Sequence, residues 1–226
     1  MKSKTKNIIL PKIAVLLTVY NGRAWIEDQI KSILMQSGVK IDLYISVDLS
    51  TDGSYEKCLE LTKEKRNVKI LPYGDRFGSA ALNFFRLIRD VNFTYYDFIS
   101  LADHDDVWLP NKLSHAVKTI KSKKVCALSS DVSAFFNDSN EAAIKKSYPQ
   151  KKFDYYFESA GPGCTYVIKT KPMLQFKKFM ILNFRKIRDI TFHDWLIYAY
   201  FRENSISWYI DSKSLIRYRN HEFNTI

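Results

Sequence analysis

Tyr96-Asp97-Phe98-Ile99-Ser100-Leu101 is an apolar run of strand length, and after Ala102 it runs straight into Asp103-His104-Asp105-Asp106. Three carboxylates crowded onto one strand end repel each other, so the cluster is costly without a cation. Hard divalent ions, Mg²⁺ or Mn²⁺, prefer oxygen ligands and keep positions open for substrate phosphates. The competing reading is an acidic box at a helix start, because a helix is expected after Pro110. Such a box does not need three carboxylates directly behind a buried strand.

Upstream, Ile13 to Val19 is a continuous apolar run, as expected for a strand buried on both faces. Tyr20-Asn21-Gly22 punctuates it, and Asn21 is expected to cap the next helix, whose apolar face carries Ile26, Ile30, Ile33 and Leu34. A second strand, Ile41 to Val47, ends at Asp48. Ser50 to Ser54 turns the chain into a helix over Tyr55 to Lys65. A short strand at Val68 to Leu71, a glycine-flanked loop at Gly74 to Gly78 and a helix from Ala80 to Arg89 follow. This alternation predicts crossover connections and a mostly parallel sheet flanked by helices, an α/β fold. Ligands of open α/β sheets bind beyond the carboxyl ends of the strands, so Asn21, Asp48 and Asp103 should meet at one crevice.

The second half is less regular. A helix is expected from Pro110 to Lys124, extended chain from Val125 to Phe136, and a polar loop from Asn137 to Lys152. Thr165 to Ile168 reads as a short strand, His193 to Phe201 as a helix and Ser207 to Ile210 as a late strand. The carboxylate in His193-Asp194-Trp195 suits either a general base or a helix cap. Asp48 alone suits either a turn or contacts to a nucleobase or ribose. His221 could reach a metal or a diphosphate, although a lone histidine more often packs or faces solvent.

The length of 226 residues fits one domain able to bury a sizeable core. Hydrophobic residues are 46% and charged residues 26%, the balance of a soluble globular protein. The net charge of +11 points to anionic partners. No zinc-finger spacing, RNP signature or helix-turn-helix is present, so nucleic acid is not expected. That leaves phosphorylated substrates and anionic membrane. The basic and apolar segment Phe176 to Lys186 suits either a membrane surface or a core helix with a wet basic face. Cys58, Cys126 and Cys164 are too sparse for a disulfide framework, which fits a reduced, cytoplasmic setting. No transmembrane-length run and no signal peptide are expected.

In this order, the motifs resemble family 2 of the inverting glycosyltransferases, which have the GT-A fold, a Rossmann-like nucleotide-diphospho-sugar transferase fold. Leu17 to Gly22 is similar to the family's opening strand and turn, and Ser46 to Ser54 to its nucleotide-binding acidic segment. Val47 stands where the family has the first of two aspartates, which leaves base recognition to Asp48. Gly78 through Asn83-Phe84 resembles the Gly-to-Asn stretch after the third strand. Asp103-His104-Asp105-Asp106-Val107-Trp108-Leu109-Pro110-Asn111-Lys112-Leu113 is the most specific match, similar to a segment of bacterial O-antigen and capsule glycosyltransferases, rhamnosyltransferases among them. Gly163-Cys164-Thr165, His193-Asp194-Trp195 and Tyr218 to Asn224 resemble the acceptor loop, the catalytic-base segment and the closing motif. Many relatives continue into a helical tail after that closing motif.

The resemblance implies a metal-dependent transfer of sugar from a nucleotide-diphosphate sugar to a glycan or lipid-linked acceptor. Asp194 would be the base. Thr18, Tyr20, Asn21, Asp48, Asn83, Asp103, His104 and Asp105 would hold the nucleotide-sugar, and Asp103, Asp105, Asp106 and His221 the Mn²⁺ or Mg²⁺. Residues 1–110 would form the donor half and 111–226 the acceptor half of one domain. Trp108 and Trp195 are candidates for sugar packing. Two other readings stand beside it: a nucleotidyltransferase, which would need a Gly-rich phosphate loop near the first strand, and a non-catalytic basic peripheral membrane protein on the same fold.

Overall fold

The computed structural model describes residues 9–136 and 140–221. Strand β1 (Lys12–Val19) is buried from Ile13 to its end. Its side chains alternate between two cores. Ala14 and Leu16 join one apolar cluster, whereas Ile13, Val15, Leu17 and Val19 join the other. A strand wet on neither face needs cover on both, which is why its sequence is apolar without a break.

β1 pairs in parallel with β2 (Lys40–Val47) on one side and β4 (Phe98–Asp103) on the other. β3 (Val68–Ile70) extends the sheet beyond β2. The full order is β10-β6-β9-β4-β1-β2-β3, with β6 at Ala127–Ser130, β9 at Val167–Lys169 and β10 at Trp208–Asp211. Only β9 runs antiparallel to its neighbours. The sheet expected from the alternation is therefore present, and the second half of the chain continues it.

Helices cover both faces. On one face lie α1 (Ile26–Leu34), α2 (Ser54–Thr62) and α4 (Lys112–Lys123), which supply Ile30, Cys58 and Leu113 to one core. On the other lie α3 (Ala80–Asp90), α5 (Thr170–Leu182) and α7 (His193–Glu203), which supply Phe84, Phe176 and Phe201. A short α6 (Phe184–Ile187) bridges α5 and α7 in sequence. None of the described helices is long and apolar enough to cross a membrane.

A second sheet, in the order β5-β11-β7-β8, joins distant segments: β5 (Val107–Trp108), β7 (Val132–Phe136), β8 (Asn140–Ile144) and β11 (Ile216–Arg219). Part of the expected 137–152 loop is thus a strand, β8, which pairs antiparallel with β7; residues 137–139 lie outside the described residues. Strand β8 reads as loop in sequence because Asn140-Glu141-Ala142-Ala143 lacks β-branched or aromatic side chains. Thr165, expected to open a strand, closes a 3-10 turn at Gly163–Thr165 instead. Asn21 does not cap α1. It adopts a left-handed conformation (φ 44°) and the helix starts later, after Trp25.

The segment before the Gly163–Thr165 turn is pinned to α7 by Asp154. Its carboxylate accepts from Arg202 at 2.7 Å, from the Tyr198 hydroxyl at 3.1 Å and from the Lys151 amide at 3.0 Å. Asp154→Ala would strand the half-buried Arg202, and we expect it to lower unfolding stability by about 1.5–3 kcal/mol in urea titration. A loss below about 0.5 kcal/mol would mean that solvent replaces the carboxylate there.

Candidate active site

Register sets the site. Thr18 pairs with Ser46 of β2 and with Asp103 of β4, so the carboxyl ends of these strands stop level with one another. Buried polar groups on α1 then hold the acidic segment in place. Gln29 donates to the Asp103 carbonyl at 2.6 Å, and Ser32 donates to Gln29 and accepts from the Trp108 amide. Gln36 donates to the Leu109 carbonyl at 2.7 Å and accepts from the Leu113 amide. The bonds to the Trp108 and Leu113 amides are buried, and the Leu109 carbonyl also accepts from the Lys112 amide.

The three carboxylates have different surroundings. Asp103 and Asp105 line the cleft at the strand ends. Burial, reinforced by the charges of Asp105 and Asp194, pushes the Asp103 carboxyl up to about 8. Asp105 Oδ2 lies 2.9 Å from His221 Nε2, and the Asp105 carbonyl accepts from Arg219. Strand β11 makes this meeting possible by pairing with β5 directly beyond the acidic segment. Trp25 stacks on His221 at 4.2 Å and tilts against His104 at 5.9 Å.

Asp106 differs. It is fully buried and does not line the cleft, and the donors that face its carboxylate are the Cys164 thiol and the Arg219 amide. Burial first, then Asp105 and Asp103, raises its carboxyl well above the usual range. Ligand atoms of Asp103, Asp106 and Cys164 lie within 4.8 Å of one another, so Asp106 touches the cluster from behind. Lys112 is buried nearby, with Nζ 3.4 Å over the Trp108 ring and 3.2 Å from Ser100 Oγ. Burial pulls the Lys112 amine down to about 7, and the Asp106 charge opposes that shift.

The turns after β1 and β2 are laced together. The Asn21 amide donates to Ser50, the Gly22 amide to Ser54 and the Arg23 amide to Asp52, while the Asn21 side chain accepts from the Thr51 amide. Gly22 has no room for a side chain, because a Cβ there would meet His104 Cδ2 at 2.1 Å. Asp48 is 3% exposed, and its carboxylate accepts from the amides of Leu49, Phe77 and Gly78. Its main visible work is to fold the 74–78 loop onto the cleft. Asn83 is equally internal: it exchanges hydrogen bonds with Ser46, which Arg86 also contacts at 2.9 Å.

Asp194 opens α7 and faces the cleft; its Oδ1 accepts from the Trp195 amide at 2.7 Å. Beside it, His193 stacks on Phe84 at 4.0 Å. Burial drives the His193 imidazole down to about 4, so it is neutral at pH 7. Gly163 faces both residues, and a Cβ on it would come within 2.6 Å of His193 Nε2 and 3.2 Å of the Asp194 Cβ.

These groups line one cleft of about 630 Å³. It gathers Thr18, Tyr20, Asn21, Asp48, Asn83, Asp103, His104, Asp105, Asp194 and His221; of the residues expected at the site, Asp106 stands outside the lining. Trp108 is core and Trp195 donates to the Tyr155 carbonyl, so the tryptophan in the cleft is Trp25. Sequence reasoning missed Trp25 and Arg76. Trp25 sits beside the apolar face of α1 and reads as core, and Arg76 is an exposed loop residue with no periodic context.

Comparisons with known proteins agree with this geometry. The model of "Glycosyl transferase family 2" matches residues 14–204. A dTDP-rhamnosyl transferase, RfbG, of Shigella flexneri is 42% identical over 211 residues, 93% of this chain and 73% of that protein. The UDP-Glc:alpha-D-GlcNAc-diphosphoundecaprenol beta-1,3-glucosyltransferase WfgD of Escherichia coli is 23% identical over 86% of this chain and 72% of its own length. Among solved structures, a S. aureus TarS fragment in complex with UDP-GlcNAc superposes with a TM-score of 0.69 at 17% identity, over 94% of this chain and 60% of that one. The mannosyltransferase PcManGT of Pyrobaculum calidifontis, in complex with GDP-Man and Mn²⁺, superposes with a TM-score of 0.60 at 16% identity, over 91% of this chain and 55% of that one. These two likenesses establish the GT-A fold. Because the family model matches most of the chain, from β1 through α7, the chain belongs to glycosyl transferase family 2.

Proposed function

We propose that the chain transfers a sugar, with inversion at the anomeric carbon, from a nucleoside-diphosphate donor to a hydroxyl of a glycan or lipid-linked acceptor in surface polysaccharide biosynthesis. The observation that carries this reading is the convergence of Asp103, Asp105 and Asp194 on one cleft with the turns after β1 and β2. The 42% identity to a dTDP-rhamnosyl transferase makes dTDP-rhamnose the first donor to test.

In this reading the turn at Thr18 to Asn21 and the loop anchored by Asp48 hold the nucleoside. Asp103 and Asp105 at the cleft wall, with His221 against Asp105, are the residues that would hold a hard divalent ion, Mn²⁺ or Mg²⁺, where burial first and like charges second push Asp103 upward. Bound there, the ion would supply positive charge to the departing diphosphate. Asp106, whose ligand atom lies within 4.8 Å of one on Asp103, would back the same ion. Asp194 accepts the proton of the acceptor hydroxyl as that oxygen bonds to the anomeric carbon and the bond to the diphosphate breaks. The transition state then has oxocarbenium character, as in glycoside hydrolysis. The donor half is residues 1–110 and the acceptor half 111–226, with the protein working at the cytoplasmic side of the membrane. Tyr20-Asn21-Gly22-Arg23 is not the Gly-rich phosphate loop that nucleotidyl transfer would need.

Asp194→Asn is expected to lower kcat by about 10²–10⁴-fold while leaving donor Kd within about twofold. Turnover of the purified variant at the wild-type rate would remove Asp194 from the role of base.

EDTA is expected to stop transfer and release of free nucleoside diphosphate, and Mn²⁺ or Mg²⁺ to restore both. Full activity in metal-stripped protein would refute the role given to the acidic cluster.

Gly163→Ala drives a methyl group against His193 and Asp194. It is expected to cut kcat roughly tenfold to a hundredfold with donor Kd unchanged, measured by initial rates and calorimetry. An unchanged kcat would show that Asp194 has freedom to adjust.

A further inference from the structure

We propose that the outer face of α5, continued through α6, is a docking surface for an anionic lipid bilayer. It rests on the preceding reading only for its purpose, which is to bring the cleft to an acceptor held at a membrane.

The face is built by helical spacing. Met173, Phe176 and Met180 point into the core, with Met173 and Phe176 fully buried. Leu174, Lys178 and Leu182 follow one another at intervals of four along the opposite side, and Ile181 lies three after Lys178. There Leu182 is 73% exposed and Ile181 48%, and Leu174 and Phe184 are also exposed. Such a cluster of large apolar side chains in water marks a contact surface more often than scattered single residues do.

Charge identifies the partner. Between Thr170 and Arg188 the chain carries six cations and no Asp or Glu. Lys177 is spoken for, since its Nζ donates to the Val91 carbonyl at 2.8 Å. Lys171, Lys178, Arg185 and Lys186 remain exposed around the apolar side chains, and Arg188, also exposed, lies 3.7 Å from Asp189. Apolar groups that insert at the headgroup boundary, ringed by long basic side chains, match an interface rich in anionic lipid. A wholly apolar partner would leave the cations unpaired, and an acidic protein would leave Leu182 and Phe184 without an apolar environment.

Position connects the face to the chemistry. Arg188 to Phe192 is all that separates α6 from α7, a link that spans at most roughly 17 Å. Thr191 and Phe192 at its end line the cleft, and Asp194 follows two residues later. A bilayer seated on α5 and α6 therefore lies along the rim where the proposed base meets its acceptor.

The test is flotation of the full chain with two kinds of vesicle: phosphatidylcholine alone, and phosphatidylcholine with one third phosphatidylglycerol. Binding is expected only to the anionic vesicles and should fall as salt rises. The charge variant K178E/R185E/K186E should lose binding by at least about tenfold. The apolar variant L182S/F184S should also lose binding. Both should retain the wild-type melting temperature and wild-type hydrolysis of the nucleotide-sugar in detergent-free buffer. No flotation of the wild type, equal binding to neutral vesicles, or unchanged binding of both variants would each overturn the proposal. The vesicles carry no saccharide, so flotation reads the surface alone; protein that floats but transfers no sugar to an added lipid-linked saccharide would count against the acceptor reading and leave the surface standing.

Discussion

Everything in this molecule turns on carboxylates of one sign held close together at the end of a buried parallel sheet. Burial alone disfavours the ionised form, and like-charged neighbours add to the cost. The fold enforces the crowding nonetheless. Thr18, Ser46 and Asp103 are fixed side by side by strand register, and α7 then brings Asp194 near enough for its charge to act on Asp103. Natural proteins keep such costly arrangements where the perturbed groups have work to do.

The rest of the architecture reads as the means of enforcing that proximity. A polar seam along α1, from Gln29 through Ser32 to Gln36, satisfies the backbone of the acidic segment. The small second sheet draws the chain from β11 across the cluster, so that His221 meets Asp105 although 116 positions separate them in sequence. The reciprocal bonds between the turns after β1 and β2 make one rigid rim from two loops. Asp48 belongs to the same scaffold, because backbone amides occupy its oxygens.

What could be read from sequence follows from which interactions are local. Strand β1 was legible because a strand buried on both faces needs an unbroken apolar run; β2 and β4 are mostly apolar with Asp42 and Ser100 inside them, and the ends of all three located most of the cleft in advance. Asp194 was legible only through its motif, since a carboxylate at a helix start has an ordinary capping explanation. Strands β5 and β11 were not legible. They are short, and their stability comes from pairing with partners far away in the chain. The inward turn of Asp106 was hidden for a related reason. Three neighbouring aspartates look equivalent until the backbone decides which of them faces the cleft. Asn21 misled because Asn serves both as a helix cap and as a left-handed turn residue, and here the second role won.

The histidines complete the electrostatic argument. Gly22 and Gly163, by lacking side chains, let His104 and His193 pack tightly into the cleft wall. Burial lowers the proton affinity of both imidazoles. They therefore give the wall shape, and burial disfavours positive charge on both, although the chain as a whole carries a net charge of +11. A diphosphate brought against Asp103 and Asp105 would meet carboxyl groups, with Asp103 itself pushed toward its protonated form. Arg76, at the cleft's edge, is one exposed cation set against several carboxylates. A divalent ion between the two would change the sign of that encounter, which is why the proposed chemistry includes one.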